Sequence, residues 1–134
     1  LLARFCYSQS HYSKAENCLL PAAFMPPKDL RLSTFVADGM TDDQIHAHGV
    51  RCATRQGPPP KPPKAFGKLL MVAVENQQKF KFERDEPPPL HAVLTGWPTD
   101  KSEQKLLAEK LAEICGPVCF PSVPITLPNE QASL

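Results

Sequence analysis

The sequence predicts an α+β fold: a single domain with a mixed or mostly antiparallel sheet of four to five strands and two helices packed on one face. Three observations carry that prediction. Apolar segments of strand length recur at 30–36, 68–75 and 90–95. Two amphipathic stretches, 42–55 and about 101–115, each follow a capping residue. Turn and proline clusters separate these segments rather than interrupting them. The domain is expected over 1–120, with an extended, proline-containing tail over 121–134.

Taken in order, residues 1–8 are apolar and aromatic enough for a first strand, and 9–18 are polar and loop-like. Residues 19–24 make a short buried segment that stops at Met25-Pro26-Pro27. In the next strand Leu30, Leu32 and Thr34 share one face, and Arg31, Ser33 and Phe35 share the other. Asp38-Gly39 ends it. Thr41-Asp-Asp-Gln44 then opens a helix by a capping box, the Thr41 hydroxyl accepting from Gln44 N–H and the Gln44 side chain reaching back. Asp42 and Asp43 place negative charge at the positive end of the helix dipole. Ile45, Gly49 and Cys52 or Ala53 form its apolar stripe.

The run 57–64 lacks too many backbone donors for helix or central strand and reads as a polyproline-like connection. Residues 68–75 are nearly continuously apolar, which predicts a strand buried on both faces. A turn at Asn76-Gln77 would fold it into a hairpin with 78–83, where Phe80 and Phe82 alternate with charges. After a second stiff connector at 84–89 come strand 90–95, a Gly96-Trp97-Pro98 turn and the last helix. Asp100 is its expected N-cap, Glu103 sits at the box position, and Leu107, Leu111, Ile114 and Cys115 form the buried stripe. Gly116 is the expected left-handed C-terminal cap.

Composition narrows the function classes. A chain of 134 residues is one domain by length and can bury a core. Net charge is +1, so no overall field draws it to nucleic acid or membrane. No run nears the roughly 20 apolar residues of a membrane span, and no signal peptide is visible. The first residue is not Met, which leaves targeting signals upstream open. The 16 prolines are clustered and indicate stiff loops around a core. Five cysteines, odd in number and irregular in spacing, fit reduced thiols in a cytoplasm. Cys115-Gly-Pro-Val-Cys119 has no answering Cys or His pair at zinc spacing, so no metal and no cofactor are expected.

Ala23-Phe24-x-Pro26, Leu32-Ser33, the Gly39-Met-Thr-Asp helix start and His91-Ala-x-Leu94-x-Gly96-Trp97-Pro98 resemble a group of small uncharacterised bacterial proteins. The resemblance covers residues 4–115, and the His-Ala and Gly-Trp-Pro pieces are its most specific parts. It implies bacterial origin and a single domain. It implies no activity and assigns no catalytic residue.

The residues that could carry chemistry each have a plainer reading. His91 lies in a strand, where imidazole could act as general acid or base. The favoured reading is that it hydrogen-bonds a neighbouring loop and fixes the strand end. Two-histidine phosphoesterases use a His-x-Thr/Ser pair, but His91 is followed by Ala92 and Val93 and no second copy exists. Ser33 and Thr34 are its nearest candidate partners. Together with Arg4 and Glu83 they fall in the order that ADP-ribosyltransferase-like folds use, but such residues are common and the surrounding motifs are missing. Cys6, Cys18 and Cys52 could pair with His11, His46 or His48, yet nothing local activates a thiol. His46 and His48, two apart on a helix, should point to different faces. Pro59-Pro-Lys-Pro-Pro-Lys64 matches a polyproline ligand pattern. Lys61, Lys64, Lys68, Arg51 and Arg55 gather into a basic patch without an aromatic platform. Trp97 reads as packing over the last helix, with binding second.

The expectation is therefore a small non-enzymatic cytoplasmic protein, acting by protein–protein contact in a bacterial assembly through its proline-rich segments. Two alternatives stand beside it. One is an enzyme around His91 acting on a nucleotide or phosphate-containing substrate. The other is a nucleic-acid binder using Arg51, Lys61 and Lys64. A hydrogen bond from His91 to Ser33, Thr34 or a carboxylate would favour the enzyme, and an apolar cage around the ring would exclude it.

Overall fold

A computed structural model describes residues 1–55 and 61–121. The chain runs β1 (Leu2–Cys6), a 3-10 turn (Gln9–His11), a small hairpin of β2 (Tyr12–Ser13) and β3 (Cys18–Leu19), a 3-10 turn (Pro21–Phe24) and β4 (Leu32–Val36). It continues through α1 (Asp42–Arg55), β5 (Ala65–Leu69), α2 (Met71–Glu75), β6 (Lys81–Arg84), β7 (His91–Thr95) and α3 (Lys101–Ile114). Five strands form one sheet in the order β5-β1-β4-β7-β6, and every neighbouring pair is antiparallel. The α+β class, the single domain and the antiparallel sheet stand as the sequence predicts. The expected tail at 122–134 and the 56–60 part of the polyproline connection lie outside the described residues.

Alternation along the strands divides the core into two layers. Leu2, Leu32, Leu69 and Leu94 face α3, whose Ala108 and Leu111 pack on them with Phe24 and Trp97. Ala3, Phe5, Phe35 and Phe66 face the other way and meet Ile45 and Cys52 of α1. The short α2 shares the α3 side through Val74. The two long helices thus sandwich the sheet rather than sharing a face, because the α1 crossover carries the chain from β4 past β1 to β5 on the side opposite α3.

Three local expectations change. The apolar run 68–75 splits into the end of β5 and the α2 turn, with Leu70 exposed at the break. The predicted hairpin between that run and 78–83 does not form, since β5 and β6 lie at opposite edges of the sheet. Gly116 is not left-handed. Helix α3 ends at an extended Cys115 (φ −72°, ψ 142°), and Gly116 N–H donates to Lys68 O at 2.9 Å. Gly96, by contrast, does have a positive φ (+91°), and an added Cβ there would lie 2.6 Å from Lys79 O. That glycine lets β7 turn against the backbone leading into β6.

Both helix starts form as read. Thr41 N–H donates to Gln44 Oε1 at 2.8 Å and Gln44 N–H to Thr41 Oγ1 at 3.2 Å, closing the box. Asp100 accepts from Glu103 N–H at 3.0 Å. The buried stripe of α3 is Gln104, Ala108 and Leu111, with Leu107 and Ile114 on its margin. The Gln104 amide reaches the Pro98 carbonyl at 2.8 Å and so ties the helix to the Gly-Trp-Pro turn. Among the described residues, no helix is long and apolar enough to cross a membrane.

Candidate functional site

Antiparallel pairing of β4 with β7 sets Phe35 opposite His91 and Ser33 opposite Val93. His91 and Ser33 are therefore diagonal neighbours on one face, within reach of an aromatic side chain. His91 Nε2 lies 2.7 Å from Ser33 Oγ. Its other nitrogen, Nδ1, lies 2.9 Å from the Asp85 carbonyl oxygen and 3.5 Å from an Asp85 carboxylate oxygen.

The tautomer follows from these partners. A carbonyl oxygen can only accept, so Nδ1 carries the hydrogen and donates to Asp85 O. In the neutral ring Nε2 is then bare, and the Ser33 hydroxyl donates to it. This is the arrangement in which imidazole can take a proton from an attacking hydroxyl, with its far side fixed by a third group.

Its surroundings are half apolar and half charged. The Phe35 ring stands 5.2 Å from His91 and 5.3 Å from His48. His48 Nε2 lies 2.8 Å from the Pro89 carbonyl, so α1 is tied to the 85–90 turn. That turn is closed on His91 itself, since Asp85 N–H donates to His91 O at 2.9 Å and His91 N–H to Pro88 O at 3.1 Å. On the open side Arg31 meets Glu83 at 3.4 Å and Asp85 at 3.6 Å. The His91 side chain is 14% exposed, against 47% for Asp85, so the ring is screened while its carboxylate neighbour faces water.

The other residues singled out from the sequence do not converge here. Thr34 points to the opposite face, fully buried, and its hydroxyl donates to Ala92 O at 3.1 Å. Arg4 also lies on that opposite face and donates to Ala23 O at 2.7 Å and Ser33 O at 2.9 Å; burial holds its pKa down. Arg4, Ser33 and Glu83 thus do not share one site. Trp97 is buried, donates to Leu94 O at 3.1 Å and packs edge-on against Phe80 at 4.9 Å, which is its packing role. Arg51, Lys61 and Lys64 are exposed, whereas Lys68 is paired with Asp42 at 2.8 Å. The basic patch therefore has fewer unpaired cations than its sequence suggests.

The cysteines form no disulfide. Burial pushes the Cys6 thiol up to about 11 and the Cys115 thiol up to about 12, so neither is a thiolate near neutral pH. Cys52 Sγ lies 3.5 Å from His48 Nε2, but that nitrogen donates to the Pro89 carbonyl and cannot act as a base toward the thiol. His46 turns into the core against Phe66, whereas His48 packs on Phe35. No group of three or more His, Cys, Asp or Glu among the described residues could hold a metal.

Sequence reasoning missed Asp85, placed in a stiff connector, and Arg31 as part of the site. The alternation that put Arg31, Ser33 and Phe35 on one face was the available signal. Asp85 becomes visible only when β6 is registered on β7, which sets Glu83 opposite Val93. An open groove of about 420 Å³ lies elsewhere, lined by Lys79, Gly96, Pro98, Glu103, Leu106 and Leu107. No protein-family model, curated protein or solved structure matches the chain.

Proposed function

We propose that this chain is a small hydrolytic enzyme in which His91 activates the Ser33 hydroxyl toward an ester. The supporting observation is the 2.7 Å contact between Ser33 Oγ and His91 Nε2. Ser33 Oγ attacks the carbonyl carbon while its proton passes to Nε2, and the leaving alcohol takes that proton as the C–O bond breaks. Water then attacks the acyl-serine by the same relay, releasing the acid and restoring Ser33. We assign Arg31, on the same strand face, to the charge that develops on the carbonyl oxygen. Arg31 and Lys81 are balanced on this face by Glu83 and Asp85, so the local charge favours a neutral ester over a nucleotide or other phosphate-rich substrate.

Turnover of p-nitrophenyl acetate, with mass-spectrometric mapping of a fluorophosphonate probe, tests the reading. Label is expected on Ser33, and both label and turnover should fall to background in Ser33→Ala and His91→Asn. Turnover in Asp85→Asn should fall by less than about tenfold, since the carbonyl that orients Nδ1 remains. Intact, folded wild-type protein that leaves Ser33 unlabelled would sink the proposal.

The protein-contact reading keeps one observation of its own. Leu106 is 61% exposed at the rim of the groove it lines with Leu107 and Pro98. Co-purification from the native host, with wild type beside Leu106→Glu, tests it. A partner captured by wild type and lost in the variant supports the accessory role, and one captured equally by both removes the groove from it.

A further inference from the structure

Strand β6 is hydrogen-bonded to β7 on one side only, and nothing among the described residues pairs with its outer edge. All four of its residues are exposed, including Phe82 at 39%. An unpaired edge of this kind is a template for another strand. Charges on an edge strand usually block such pairing. Here they alternate in sign along Phe80-Lys81-Phe82-Glu83-Arg84, and that changes what they block.

We propose that the β6 edge is the contact between two copies of this chain, paired antiparallel about a two-fold axis through Phe82. In that register Phe82 meets Phe82 of the second copy. Lys81 lies opposite Glu83 of the second copy, and Glu83 opposite its Lys81. Directly opposed residues on antiparallel strands share a face, so both Lys–Glu pairs form on the side that carries Arg31 and His91. Moving the axis to Lys81 sets lysine against lysine, and moving it to Glu83 sets glutamate against glutamate. Among axes passing through these three residues, Phe82 alone avoids a like-charge pair.

The remaining charges do not oppose this register. Arg84 is ion-paired to Glu86 within the chain and would face Phe80 of the second copy. Lys81 makes no ion pair among the described residues, so the second copy would supply its partner. Glu83 is held by Arg31 at a loose 3.4 Å and keeps half its side-chain surface in water. The dimer would join two five-stranded sheets into one continuous sheet. A four-residue strand buries little, well under the roughly 1,200 Å² of a standard interface, so the association is weak and concentration-dependent.

Sedimentation equilibrium across a wide concentration range tests this, with circular dichroism confirming that each variant folds. Wild type is expected to shift from monomer to dimer as concentration rises. Lys81→Glu and Glu83→Lys each set like charges opposite one another in both pairs, and each should weaken the dimer about tenfold or more. An equimolar mixture of the two variants restores both attractions and should form a heterodimer. The double variant, with the charges exchanged, should recover the homodimer. Wild type that stays monomeric throughout overturns the proposal. So does a dimer that both single variants leave unchanged, or that neither the mixture nor the double variant restores.

Discussion

Burial opposes charge at His46, whose ring is 1% exposed and stands 4.6 Å from the Phe66 ring. Neither ring nitrogen has a well-formed hydrogen bond among the described residues, so protonation would place an ill-compensated cation in the core. Desolvation lowers its pKa, against smaller opposing effects from the Cys119 carbonyl and from Asp42 and Asp43. The stability consequence has a definite sign. The unfolded ring keeps its ordinary pKa near 6.5, so below that pH the unfolded chain binds more protons than the folded one. The stabilisation is complete above pH 6.5 and is lost as pH falls toward the folded pKa. His11 shifts the same way, again mainly through burial. Urea unfolding at pH 7.5 and pH 5 should show a loss on acidification that shrinks in His46→Leu without vanishing, because His11 remains. A second prediction concerns the thiols. With their pKa values near 11 and 12, Cys6 and Cys115 should resist thiol reagents in the native protein at pH 7.5 and label only on unfolding. Rapid native labelling of either would contradict the burial that raises them.

At the scale of elements, turn chemistry fixes what periodicity cannot. Gly96 combines φ +91° with a Cβ position 2.6 Å from Lys79 O, a backbone atom that cannot rotate away. Gly96→Ala should destabilise by about 2 kcal/mol or more, because backbone strain and a close contact add. Thr41→Ala removes one half of the α1 capping box and should cost about 1 kcal/mol. Chemical denaturation of both variants checks these values, and Gly96→Ala should be the larger loss. The capping residues, both long helices and β1, β4 and β7 were legible because each is written locally in the chain. The run 68–75 was not, since a short apolar stretch buries equally well as strand or helix, and the break at Leu70 depends on where β5 leaves the sheet. Strand order was not legible either. β5 pairs with β1 through the α1 crossover, a contact between segments some sixty residues apart in sequence. The site shared this fate. Ser33 and His91 were legible as residues of opposite strands, but their 2.7 Å approach and the arrival of Asp85 depend on registers that only the folded sheet sets.

For the whole molecule, the two sheet edges are treated differently, and that asymmetry can be tested. The outer side of β5 is covered by the segment after α3: Phe66 N–H donates to Cys119 O at 3.0 Å and Cys119 N–H to Phe66 O at 2.8 Å. Val118, 7% exposed, adds to the core, and Phe120 packs edge-on against Tyr12 at 5.4 Å. This short segment therefore shields a strand edge, fills the core and pins the β2–β3 hairpin at once. Ending the chain after Pro121 keeps all three contacts, whereas ending it after Gly116 removes them together. The longer truncation should lower the melting temperature by several degrees, since losing a buried valine and two backbone hydrogen bonds amounts to roughly 2–3 kcal/mol. It should also cause association that the single reversals Lys81→Glu and Glu83→Lys do not affect, because the newly opened edge is β5. Comparing the two truncations by calorimetry and light scattering isolates residues 117–121. Equal melting temperatures and equal solubility would mean that β5 needs no cover. A lower melting temperature with new aggregation would establish this segment as the closing element of the sheet.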